Sequence, residues 1–242
     1  MKVYGMTDIG RHRKDNQDSY AIHQWEGGTA LLVVCDGMGG AQAGSVASSV
    51  AVETFAAAVE EALTQGVPED PGRMLADACQ MANEKVYRLS LENREYEGMG
   101  TTLVAALILP DVAWLVNIGD SRGYVLENDS IRQVTVDHSL VQLLVERGEI
   151  TPAEARVHPQ KNLITRALGV DSRVECDVTR LEPGQGGRLL LCSDGLTNVL
   201  DDETLLTLSR REAEIEDLCR ALISLTLERG APDNVTAVLA QL

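Results

Sequence analysis

The sequence predicts an α+β fold with helices on the outside of packed sheets, and three features carry that expectation. Short apolar runs bounded by turn residues alternate in blocks with helical stretches: strands, a helix pair, more strands, then a second helix pair. Three of the runs stop on a carboxylate: residues 31–35 on Asp36-Gly37, 115–119 on Asp120, and 189–193 on Asp194-Gly195. No repeat, linker or low-complexity segment divides the 242 residues, so a single domain over 1–242 is expected.

Residues 2–6 and 18–25 read as strands around a polar loop over 7–17, and the strand at 30–35 follows a Gly27-Gly28 turn. Over 43–63 small and apolar residues recur at helical spacing, at Val46, Val50, Phe55, Val59 and Leu63. Two prolines mark 67–72 as a loop, and a second helix runs over about 73–91 with Leu75, Cys79, Val86 and Leu89. This pair is expected to lie antiparallel over one sheet. A meander follows at 101–109, 113–118, 123–126 and 131–134, with turns at Pro110-Asp111 and Asn128-Asp129. Residues 137–168 are polar, with Ser139 capping a short helix at 140–147 and another at 152–155; they read as a flap inserted between core strands. The remainder is strand (174–180), a glycine-rich loop (183–187), strand (188–193), helices at about 202–209 and 213–229, and a last strand at 235–240.

Lysine and arginine total 21 against 37 Asp and Glu, a net charge of −16. That balance argues against a nucleic-acid partner, which needs basic patches, and 3% aromatics leave few platforms for stacking single-stranded bases. No apolar run reaches the roughly 20 residues of a membrane span. The N-terminal residues run straight into polar sequence without a signal peptide, so a cytoplasmic protein with no membrane attachment is expected. The five cysteines, Cys35, Cys79, Cys176, Cys192 and Cys219, form no C-x-x-C pair and read as reduced thiols.

The chemistry concentrates in Asp18, Asp36, Asp120, Asp194 and Asp233, each at or near the edge of a predicted strand. Any one of them could serve as a cap or turn residue; five in this arrangement point to a site for a hard cation. Mg²⁺ and Mn²⁺ take oxygen ligands, and two such ions close together need a shared carboxylate. Asp36 is the best bridging candidate, with the Gly37 carbonyl beside it, while Asp194 and Asp233 could complete one side. The absence of a His/Cys cluster argues against zinc. Arg13, in a basic loop with Arg11 and Lys14, could grip two phosphate oxygens at once. None of the four histidines is assigned to catalysis: His12 reads as loop surface, His23 as strand, and His138 and His158 as local hydrogen-bonding groups of the flap.

These residues fall in ordered blocks: Gly10-x-x-Arg13-x-x-Asn16-Gln17-Asp18, Val34-Cys35-Asp36-Gly37-Met38-Gly39-Gly40, Gly98-Met99-Gly100-Thr101-Thr102 and Asn117-Ile118-Gly119-Asp120-Ser121-Arg122. Asp137-His138-Ser139, Asn162-Leu163-Ile164-Thr165-Arg166-Ala167-Leu168-Gly169, Cys192-Ser193-Asp194-Gly195-Leu196-Thr197 and Asp233-Asn234-Val235-Thr236 follow. In content and order they resemble the metal-dependent serine/threonine protein phosphatases of the protein phosphatase 2C family, in the short stand-alone form found in bacteria.

The resemblance implies a four-layer αββα sandwich, two antiparallel sheets flanked by helix pairs, with a flap subdomain at about 137–168 and the site in a cleft at one end. It implies that Asp36 bridges two Mn²⁺ or Mg²⁺ ions, that Gly37 lends its carbonyl, and that Asp194 and Asp233 bind one of them. It further implies that Arg13 holds the substrate phosphate, that Asp18 orders a water beside the metals, and that Asp120 with Asp194 holds a third ion. The implied activity is hydrolysis of phosphoserine and phosphothreonine on proteins by a metal-activated water, without a covalent intermediate. Phosphorylated proteins would be substrates of this monomer, and a serine/threonine kinase the partner it opposes. A catalytically silent binding module with the same fold and a phosphatase of small phosphorylated metabolites are the alternatives. Three positions depart from the family's pattern: Met38 stands where animal members carry a histidine, Gln17 where Glu is frequent, and Asn198 where some members have a further metal-binding Asp.

Overall fold

A computed structural model describes every residue except 41, 128, 183–185 and 213. The expected turn at Asn128-Asp129, the loop at 183–187 and the start of the helix at 213 therefore fall partly outside the described residues. In chain order the strands are β1 (Val3–Asp8), β2 (Asp18–Trp25), β3 (Thr29–Met38), β4 (Gly100–Thr101), β5 (Leu103–Ile108), β6 (Ala113–Ile118), β7 (Arg122–Leu126), β8 (Ile131–Gln133), β9 (Asp177–Leu181), β10 (Arg188–Cys192) and β11 (Val235–Gln241). The helices are α1 (Ala43–Thr64), α2 (Pro71–Glu92), α3 (Leu140–Glu146), α4 (Pro152–Val157), α5 (Asp194–Thr197), α6 (Asp202–Arg211) and α7 (Ile215–Glu228). One sheet has the order β1-β11-β10-β7-β8 and the other β2-β3-β5-β6-β9, with β4 appended to β3. All pairings are antiparallel.

The central strands carry apolar residues on both faces over most of their length because both faces are buried. In β3, Leu31, Val33 and Cys35 face α1 and α2, in one core with Phe55, Val59, Leu75 and Val86. The alternate residues Leu32 and Val34 face the other sheet and pack with Leu189, Leu191, Val238 and Ala240. Strand β10 divides in the same way: Leu190 and Cys192 join a third core with Leu218, Leu222 and Ile223 of α7. The order helices, sheet, sheet, helices is thus set by a two-residue period with no polar face.

Several element boundaries differ from the sequence expectation, and at four of them a local contact gives the reason. Strand β3 runs past Asp36 to Met38, because Gly37 and Met38 pair with Thr101 and Gly100 of β4. The expected strand over 101–109 is interrupted at Thr102. Its N–H donates to the Asp36 carbonyl at 2.9 Å, and its Oγ1 accepts the Asp36 N–H at 2.9 Å. Helix α2 begins at Pro71 instead of 73, since Asp70 caps it by accepting the Arg73 N–H at 2.9 Å and proline is tolerated in the first turn. Strand β9 begins at Asp177 and not 174, because the Val174 N–H is taken by Gln80 of α2 at 3.3 Å.

The flap leaves the sandwich after β8 and returns at a bridge between Thr101 and Leu168. Ser139 caps α3, and Thr151 with Glu154 forms a reciprocal capping box on α4.

Candidate active site

Even-numbered residues of β3 face the gap between the sheets, so Asp36 lies at the open end of the inter-sheet core, in line with Leu32 and Val34. Asp18, the first residue of β2, is its register partner. From the other sheet, Thr236 on the inter-sheet face of β11 and Ser193 at the end of β10 both donate hydroxyls to Asp18 Oδ2, each at 2.7 Å. The other oxygen, Asp18 Oδ1, is buried without a protein partner. Asp194 is the first residue of α5, one residue (Ser193) after the end of β10; Asp233 precedes β11 by two residues. The end of the sandwich therefore gathers carboxylates from both sheets.

Glycines let the backbones close around them. A Cβ on Gly37 would run into the Gly44 carbonyl at the start of α1, and one on Gly195 into the Asn234 carbonyl. Asn234 ties the 9–17 loop to this floor: its Oδ1 accepts the Gln17 N–H at 2.8 Å, and its Nδ2 donates to the carbonyls of Ile9 at 2.9 Å and Asp15 at 3.0 Å. That loop carries Arg13, whose Nη2 donates to Asp233 Oδ2 at 2.7 Å. The arginine side chain is half-exposed at the cleft rim. Gln17 packs its amide against Gly44, and Met38 lies over Gly100.

Electrostatics mark the cluster as one unit. Asp36 is pushed well above the usual carboxylate range by burial first, then by the charges of Asp18, Asp194, Asp120 and Asp233. Burial lifts Asp18 to about 7 against the two hydroxyl bonds that lower it. Asp120 reaches about 8, by burial and then by Asp194 and Asp137. Asp194 is raised by burial and then by Asp233, with a hydrogen bond from Asn198 opposing. Concentrated carboxylate charge of this kind suits hard divalent cations, which take oxygen donors. Among the described residues no three carboxylates stand already converged as ligands of one ion; Arg13 and Asn198 hold Asp233 and Asp194 instead.

Asp120 and Asp194 open onto a cleft of about 600 Å³ roofed by the flap. Its floor is the Arg122–Asp137 ion pair at 2.6 Å. A separate groove of about 520 Å³ between β2 and α1 gathers no aspartate. The histidines stay outside the cluster. His138 Nδ1 accepts the Gly119 N–H at 3.1 Å and its Nε2 lies 3.2 Å from Asp177, while His158 accepts from Gln160 in its own turn. All five cysteines are free, and only Cys176 is not fully buried.

Sequence reasoning assigned no role to Thr102, Ser193, Asn234 or Thr236, although each sits in a quoted block. Their signal was polarity out of place: Thr236 interrupts an apolar strand at a position that faces the other sheet, where only a hydrogen-bonded hydroxyl is tolerated.

The fold and this site define a two-sheet α+β sandwich with an acidic cleft at one end. The chain belongs to the protein phosphatase 2C family, whose pattern matches residues 10–240. It is 37% identical over 235 residues to the serine/threonine phosphatase stp of Listeria innocua, across 97% of this chain and 93% of that protein. The crystal structure of serine/threonine phosphatase Stp1 from Staphylococcus aureus superposes with a TM-score of 0.93 at 39% identity, covering 100% of this chain and 94% of that one. The catalytic domain of the serine/threonine phosphatase PstP, solved in complex with two manganese ions, gives 0.86 at 38% identity, covering 99% of this chain and 97% of its own.

Proposed function

We propose that this chain hydrolyses phosphoserine and phosphothreonine on proteins in a reaction dependent on Mn²⁺ or Mg²⁺. The observation that carries this reading is the gathering of Asp18, Asp36, Asp120, Asp194 and Asp233 at one open end of the sandwich, with a guanidinium at its rim. The donor set fits such ions. It offers hard oxygens only, and its negative charge is in direct contact with a single arginine among the described residues. Asp36, the Gly37 carbonyl, Asp194 and Asp233 would hold two such ions, and Asp120 with Asp194 a third. Bound there, the ions supply Lewis-acid chemistry, polarising the phosphoryl group and activating the attacking water.

The chain's own residues do the rest. Asp18, fixed by Ser193 and Thr236, turns its partnerless Oδ1 into the site as an acceptor that orients a water proton. Arg13 rides on Asp233; a phosphate that draws it away gains a two-pronged partner and releases the Asp233 carboxylate. No side chain is placed as a nucleophile. The Ser193 hydroxyl is committed to Asp18, and burial raises the Cys35 and Cys192 thiols out of the thiolate range. Water therefore attacks phosphorus directly: its oxygen forms the new P–O bond as the P–O bond to serine or threonine breaks, and the proton it gives up balances the one the leaving oxygen gains as a free hydroxyl.

The proposal includes one domain with residues 137–168 as its flap, a cytoplasmic monomer, and a serine/threonine kinase whose products it consumes. No helix of the described residues is long and apolar enough to cross a membrane. The presence of Asp36, Asp194 and Asp233 favours turnover over a silent binding module. Rates on phosphothreonine peptides and on small phosphate esters, compared at equal concentration with Mn²⁺, test the substrate class. Faster release from the peptides is expected, and preference for the small esters would refute it.

A further inference from the structure

The flap carries a cation into the acidic cleft. Lys161 Nζ donates to Asn198 Oδ1 at 2.9 Å, and Asn198 Nδ2 donates to Asp194 Oδ2 at 2.8 Å. The lysine also acts on Asp194 directly through its charge. Lys161, Asp120, Asp194 and Asn198 line one cleft, so the ammonium shares it with the outer pair of carboxylates.

We propose that Lys161 is a tethered cation that competes with a divalent ion for the outer carboxylates, Asp120 and Asp194, so that an ion settles there only as the flap lysine withdraws. The inference rests on the metal-dependent reading above. Two effects of Lys161 have the same sign. Its charge repels a divalent ion, and its hydrogen bond occupies Asn198 Oδ1, a neutral hard oxygen of the residue that holds Asp194. Removing the lysine relieves both. The flap keeps a second contact, Arg156 to Asp202 at 3.7 Å, so the loss of Lys161 does not by itself release it. Lys161 is a positioning residue on this account, since it touches neither substrate nor reacting atoms.

The test is calorimetric titration of chelator-stripped protein with Mn²⁺, comparing wild type, Lys161→Met and Lys161→Arg. In Lys161→Met the weakest binding step is expected to tighten roughly three- to tenfold, the range of one partly screened charge interaction. Lys161→Arg, which keeps the charge, should stay near wild type, and adding Asp120→Asn to Lys161→Met should abolish the gain. A lysine that merely clasps the flap would leave Mn²⁺ binding unchanged. Uptake of Mn²⁺ by wild type with no tightening, or with weakening, in Lys161→Met overturns this inference alone. Failure of wild type to take up Mn²⁺ overturns the metal reading and this inference with it.

Discussion

Replacing Asp18 by Asn in the metal-free protein should change the pH dependence of stability in a direction the structure fixes. Burial holds the Asp18 carboxyl at about 7 in the folded chain against an ordinary 3.8. Between those values the folded state keeps a proton that the unfolded state has released. Wild-type stability therefore falls as pH rises through that window and levels off above it. The gap of about 3 units corresponds to about 4 kcal/mol at 1.36 kcal/mol per unit. Asparagine has no proton to lose and escapes this penalty. Its amide adds a constant cost of about 1–3 kcal/mol where Oδ1 lacked a partner, so the slope is the quantity to read. Urea unfolding of chelator-treated protein at about pH 5 and about pH 8 should move the difference between the two proteins by 2–3 kcal/mol in favour of the variant. Saturating Mn²⁺ should shrink that movement, since nearby positive charge favours ionised Asp18. A difference independent of pH, or one moving toward the wild type, would refute the reasoning.

Arg13→Ala should lower kcat/KM on a phosphothreonine peptide by about 10- to 100-fold, the worth of one charge-assisted contact, read in steady-state assays with Arg13→Lys retaining part of the rate. Asn234→Ala removes three hydrogen bonds that staple the Arg13 loop; about 2–4 kcal/mol of stability should go with them, measured by urea unfolding together with a rise in KM. Phe55→Ala should cost about 3–5 kcal/mol through the cavity it leaves between α1 and the sheet, with metal binding per folded molecule unchanged.

Much of this molecule is written in its strands. Runs such as 31–35 and 189–192 are apolar without alternation, and a strand of that kind can only be covered on both faces, which places helices outside and a second sheet within. The carboxylates that end those runs marked the site for the same reason, since burying Asp36 uncompensated would be too costly. What stayed illegible depends on contacts distant in sequence. Thr102 interrupts the strand where Asp36 engages both its N–H and its hydroxyl, and β9 starts late because Gln80 of α2 takes the Val174 N–H. The link from Arg13 to Asp233 joins positions 220 residues apart. Local spacing carries no trace of it, nor of the Lys161–Asn198–Asp194 chain.

The central claim is that the clustered carboxylates make this chain a metal-dependent phosphatase. Phosphate release from a phosphothreonine peptide should be followed with Mn²⁺, with excess chelator, and with Asp36→Asn shown to be folded by circular dichroism. The account predicts release with Mn²⁺ alone, abolished by chelator and reduced at least about a thousandfold in the variant, on the scale of the several kcal/mol a catalytic metal contributes. Release that survives either the chelator or Asp36→Asn, or no release from folded wild type with Mn²⁺, would contradict it.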